Sequence, residues 1–185
     1  GLDIVVNNAG VYGPKGAAEH NDCSEWRRAI EINLFGTLYT CQKAIAYFKQ
    51  QRAGKIINLS GGGATAPLPC ISAYAASKAA VVRLTETLSE EVKQFCIDIN
   101  AIAPGALNTR LMDEVLAAGP ENVGDSFYQS TIKQQESGGI PLDKGAQLCV
   151  YLASDQSNGI TGKLISAVWD CWDEFNNHRA DIETT

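Results

Sequence analysis

The chain has 185 residues, with 15 Lys and Arg against 21 Asp and Glu, a net charge of −6 and 45% apolar residues. That length and apolar content suit one domain with a sizeable core and exclude a disordered chain. The excess of acid excludes a nucleic-acid-binding face and a surface that adheres to anionic lipid, and no apolar run approaches the ~20 residues of a membrane-spanning helix.

Leu2 to Val6 is a nearly continuous apolar run that stops at Asn7-Asn8-Ala9-Gly10, which predicts a strand buried on both faces and then a tight turn. After a loop containing Gly13, Pro14 and Gly16, Asp22 or Ser24 caps a long helix that runs to about Gln51 and stops at Gly54. Trp26, Ile30, Asn33, Leu34, Leu38, Cys41 and Ile45 recur along it at helical spacing, so Asn33 is a polar residue on an apolar stripe. Lys55 to Ser60 predicts a second buried strand, ended by Gly61-Gly62-Gly63. A second long helix is predicted from Ser72 to about Phe95, and a third strand from Cys96 to Ala103, ended by Pro104-Gly105. One or two short helices fall within 108–137 around Gly119-Pro120. A helix over Leu142–Ala153 and a last strand over Lys163–Val168 follow. Residues 1–172 form the expected domain, and 173–185 an expected polar, poorly ordered tail. The alternation of strands and helices predicts an α/β fold, a parallel sheet with helices on both faces.

Cysteines at 23, 41, 70, 96, 149 and 171 show no CxxC spacing and are expected to be buried and reduced, as in a cytoplasmic protein. His20 and His178 have no ligand-spaced partners, so no metal site is expected.

The chemistry centres on Tyr74-Ala75-Ala76-Ser77-Lys78 in the first turns of the second long helix. Tyr74 and Lys78 are one turn apart on one face. A free phenol, with a pKa of about 10, is a poor acid–base catalyst at neutral pH, and a nearby ammonium favours its anion. Ser60, the Asn7–Gly10 segment and Pro104-Gly105-Ala106-Leu107-Asn108-Thr109 all follow strands, at the carboxyl ends where open α/β sheets bind ligands.

With NNAG, SAYAASK, PGALNT and ITGK in this order over nearly its whole length, the sequence resembles the short-chain dehydrogenases/reductases. The resemblance implies a Rossmann-like, doubly wound parallel sheet, of which this chain is the C-terminal part with about four strands. It implies hydride transfer between NAD or NADP and a small alcohol or carbonyl substrate. Tyr74 matches the proton donor, Lys78 the residue that lowers the Tyr pKa and bonds the nicotinamide ribose, and Asn33 the holder of a relay water. Asn8, Ala9 and Gly10 match the stretch lining the cofactor cleft. Pro104, Gly105, Leu107 and Thr109 match the segment that contacts the nicotinamide carboxamide. Leu107 to Ser137 matches the substrate-covering segment. The resemblance also implies a homo-oligomer formed by pairing the helices near 24–51 and 73–95, without nucleic-acid or membrane partners.

Two departures stand out. Ser60-Gly61 replaces a pair of serines, the second of which is catalytic in the family. Either Ser60 supplies the carbonyl-polarising hydroxyl or that hydroxyl is missing. No TGxxxGxG turn precedes the first strand, and with no Met at its start the chain reads as a cut segment whose first strand is expected to be covered by another chain or segment. The alternative function is therefore a truncated, inactive relative serving as a binding or oligomerisation scaffold. Ordinary roles also stand beside the catalytic ones. Asn33 can bond its own helix and a neighbouring strand, Thr109 can cap the helix it precedes, and Trp169 and Trp172 can either close a pocket or pack in an interface or core.

Overall fold

The computed structural model describes residues 1–179 and 182. Four parallel strands form one sheet in the order β1 (Ile4–Asn7), β2 (Gly54–Leu59), β3 (Ile97–Ala103) and β4 (Leu164–Ser166). The register sets Ile57 beside Val6 and Asn100, and Ile102 beside Leu59 and Ile165. The fold is thus the expected α/β sheet with flanking helices.

Alternation along the strands builds a core on each face. Ile56, Ile97 and Ile99 pack with Cys41, Ala44 and Phe48 under helix α2 (Gly36–Gln51). Ile57, Ile102 and Ile165 pack with Leu148, Tyr151 and Leu152 of helix α7 (Leu142–Ala153) on the other face. The isoleucines of β2 and β3 thus belong to strands covered on both sides.

β1 departs from expectation. Val5 packs into the core beneath α2, but Leu2, Ile4 and Val6 on its other face are 40%, 42% and 45% exposed. The reason is position: β1 is the edge strand with β2 as its neighbour, and α7 contacts β2 and β3.

The first long helix is one continuous rod of three parts: α1 (Cys23–Ile30), a π-helical turn (Glu31–Phe35) and α2. Asp22 is its cap, its carboxylate accepting from the amides of Ser24 and Glu25. Arg52, in the left-handed region at φ 55°, ends it rather than Gly54. Gly54 has a packing role instead, since a β-carbon there would overlap the buried Phe48 ring.

Helix α3 (Ser72–Val92) carries the Tyr–Lys pair. Between β3 and α7 lie three helices rather than one or two: α4 (Arg110–Ala118), α5 (Pro120–Val123) and α6 (Asp125–Ser137), broken at Gly119 and Gly124, whose φ values of 77° and 81° favour glycine.

Part of the expected tail is built into the core. Residues 172–177 form a 3₁₀ turn, and Trp172, Phe175 and Ile182 pack against the α7 cluster. The rest of that expectation, at residues 180, 181 and 183–185, lies outside the described residues. All six cysteines are free, but Cys23, Cys96 and Cys171 are exposed rather than buried. Among the described residues no helix is long and apolar enough to cross a membrane.

Candidate active site

A cleft of about 800 Å³ opens at the carboxyl ends of the strands. Parallel strands all end on this side, so the segments after β1, β2, β3 and β4 meet there. Tyr74, Lys78 and Ser60 line it, as do Asn8 and Gly10 after β1. Pro104, Gly105, Leu107 and Thr109 form the wall after β3. Ala9 is not in the wall, and Asn33 stands buried behind it.

Tyr74 is 8% exposed and Lys78 4%. Trp26 of α1 donates to Ser72 Oγ at 3.1 Å and so ties the start of α3 in place. The Lys78 ammonium donates to the Leu59 carbonyl at 2.7 Å, which links α3 to the end of β2. It lies 5.6 Å from the Tyr74 ring centre. An ammonium has three donors, and Gly10 passes close to this one: a β-carbon there would touch both Lys78 Nζ and Asn33 Oδ1 at 3.5 Å.

Burial sets the protonation states. It pushes the Tyr74 phenol up, and neighbouring Tyr12 adds to the rise. It brings the Lys78 ammonium down to about 8. Burial, rather than the expected lowering by Lys78, governs the phenol: a phenolate here loses its hydration, and the ammonium is engaged by the Leu59 carbonyl.

Asn33 has three partners at 2.9 Å each. Its Oδ1 accepts from the Val11 amide, and its Nδ2 donates to the Val11 carbonyl and to Ser77 Oγ. Ser77 in turn donates to the Tyr74 carbonyl at 2.7 Å. Asn33 thus clamps the loop after β1 to the helix that carries Tyr74. It sits in the π turn, a local underwinding of the helix that often marks functional positions.

Ser60 Oγ donates to the Lys78 carbonyl at 3.3 Å, so its hydroxyl joins a strand end to a helix. Gly61 is the residue that meets the Tyr74 phenol. Thr109 occupies the cap position of α4, yet its hydroxyl makes no capping bond, and the residue lines the cleft. Trp172 packs on Tyr151 at 5.7 Å, while Trp169 stands 86% exposed at the cleft.

Sequence reasoning missed Tyr12. Its ring lies edge-on to Tyr74 with centres 4.7 Å apart, and Lys15 three residues on pairs with Glu114 of α4 at 3.2 Å. The loop after β1 therefore braces Tyr74 on one side and α4 on the other. No signal in the sequence marked this contact.

The model of the short chain dehydrogenase family matches residues 1–119. The chain belongs to that family. It is 39% identical over 171 residues to 3beta-hydroxysteroid dehydrogenase 1 of Eggerthella lenta, a match covering 89% of this chain and 61% of that protein. NAD+-bound xylitol dehydrogenase superposes with a TM-score of 0.76 at 25% identity, over 89% of this chain and 66% of that one. Gluconate 5-dehydrogenase of Burkholderia cenocepacia, in complex with NADP and tartrate, gives 0.75 at 26% identity over 89% and 62%. The chain thus spans about three fifths of the length of the curated relatives it matches.

Proposed function

We propose that the protein is an NAD- or NADP-dependent oxidoreductase that interconverts an alcohol and a carbonyl. The observation that carries this reading is the buried Tyr74–Lys78 pair, one turn apart, in a cleft at the carboxyl ends of parallel strands. The cofactor chemistry named for the xylitol and gluconate dehydrogenases supports it.

The residues present fit the nicotinamide end of such a cofactor. Lys78 has donors beyond the one given to Leu59, the bare Gly10 adds no side chain beside it, and Thr109 has a hydroxyl free of capping. Lys78 would hold ribose hydroxyls, and Thr109 with the Pro104–Leu107 wall would hold the carboxamide. When bound, a nicotinamide would supply or accept the hydride. Tyr74 would give its phenolic proton to the carbonyl oxygen in reduction and take it back in oxidation of the alcohol. With its pKa raised, Tyr74 is protonated at neutral pH, which suits carbonyl reduction. Oxidation needs the phenolate, so its rate rises with pH. Lys78, near 8, returns a proton to Tyr74 most readily below that pH.

Tyr74→Phe removes the transferable proton and leaves the ring. We expect turnover, followed by nicotinamide absorbance, to fall at least a hundredfold while cofactor still binds. Full activity in Tyr74→Phe overturns the assignment. Cofactor binding by the unaltered protein without turnover of any alcohol or carbonyl favours the scaffold reading, which Gly61 supports by carrying no hydroxyl.

Self-association belongs to the same reading. Phe35 and Tyr39 stack at 6.0 Å and stand 40% and 60% exposed on the first long rod, a face suited to a second copy of the chain. A cytoplasmic location fits six free thiols. A monomer by light scattering at micromolar concentration would refute the oligomer.

A further inference from the structure

The part of the cleft that a substrate body would occupy lies between α4, α6 and the loop before α3. Its wall is hydrocarbon: Leu68, Leu107, Leu111, Met112, Val115 and Phe127. Leu111, Met112 and Val115 are one face of α4. Phe127, Thr131 and Gln134 are one face of α6, at helical spacing.

Two polar side chains of α6 on this wall are already engaged. Thr131 Oγ1 donates to the Phe127 carbonyl at 2.8 Å, and Gln134 Nε2 donates to Asn108 Oδ1 at 3.0 Å. Apart from Lys78, the charged residues lining the cleft are Arg110 and Asp170. Arg110 faces Glu114 at 3.8 Å, and the Asp170 carboxylate accepts from the Ser166 amide at 2.7 Å. A polyol would leave its hydroxyls facing methyl groups, and a carboxylate would meet no buried cation on this side. Buried polar groups without partners weaken binding, whereas each buried methylene strengthens it.

We propose that the substrate is a neutral, apolar secondary alcohol or its ketone, with a hydrocarbon body several carbons long lying on the α4–α6 wall. This rests on the dehydrogenase reading above for the reacting end and on the wall alone for the body.

The test uses the protein as it is naturally encoded, with NAD+ and NADP+. Turnover is measured for 2-butanol through 2-decanol, beside 3-hydroxybutyrate and sorbitol. Binding of the matching 2-alkanones is followed separately by quenching of tryptophan fluorescence. We expect kcat/KM and ketone affinity each to rise about fourfold per methylene until the wall is covered. Leu111→Gln with Phe127→Gln should flatten both slopes. A flat series, or preference for the carboxylate or the polyol, overturns the proposal while leaving the dehydrogenase reading in place. Ketone affinity that climbs with chain length in a protein without turnover supports the apolar site and overturns the dehydrogenase reading.

Discussion

A β-carbon at Gly61 would stand 2.6 Å from the Tyr74 hydroxyl, closer than real β-carbons approach other atoms. The bare glycine is what lets the phenol reach the cleft wall at the end of β2. Gly61→Ala should therefore push the phenol aside. A displacement of about 1 Å at a reacting group costs roughly a hundredfold in rate, while stability should change by less than about 1 kcal/mol because the intrusion is into a cleft. Undiminished kcat/KM in Gly61→Ala would show that Tyr74 yields freely.

Ser60 separates two roles for a hydroxyl. Its bond to the Lys78 carbonyl predicts that Ser60→Ala loses about 1 kcal/mol of stability and less than tenfold in kcat. A hundredfold loss in kcat at unchanged KM would instead make Ser60 a polariser of the carbonyl.

Asn33→Ala leaves the part-buried Val11 amide and carbonyl without partners and takes a donor from Ser77 Oγ, which keeps its bond to the Tyr74 carbonyl. Each unsatisfied buried group costs about 1–3 kcal/mol. We expect a loss of about 3 kcal/mol in urea unfolding. A loss below about 1 kcal/mol would show that the clamp is dispensable.

Lys78 links stability to pH. Its folded pKa, near 8, lies below its ordinary value of 10.5, so between these limits the unfolded chain holds more protons than the folded one. Stability from this group therefore rises as pH goes from 8 to 10.5 and is lowest below 8. The range amounts to about 3 kcal/mol at most. Lys78→Met should be inactive, more stable than the parent at pH 7, and without this rise. Parallel pH–stability curves for the two proteins would contradict a strained, buried ammonium.

The strands, the long helices and the order of the site segments were legible in the sequence because each rests on local signals. Ile56 and Ile57 are adjacent in a short strand-like segment, and each faces a different core. Tyr74 and Lys78 are one helical turn apart whatever surrounds them. The same reading placed Leu2–Val6 in a covered strand, since an apolar run says nothing about how many neighbours a strand will have.

What only the tertiary structure decided is where side chains from distant segments point. Tyr12 meets Tyr74 across 62 residues and Lys15 meets Glu114 across 99. Gly61 clears the phenol, Ser60 turns to a carbonyl, and a π turn carries Asn33 to Val11 and Ser77. Spacing along the chain fixes periodicity and therefore elements. The direction of a hydroxyl and the burial that shifts a pKa depend on atoms supplied by other elements, and those meet only when the chain has packed.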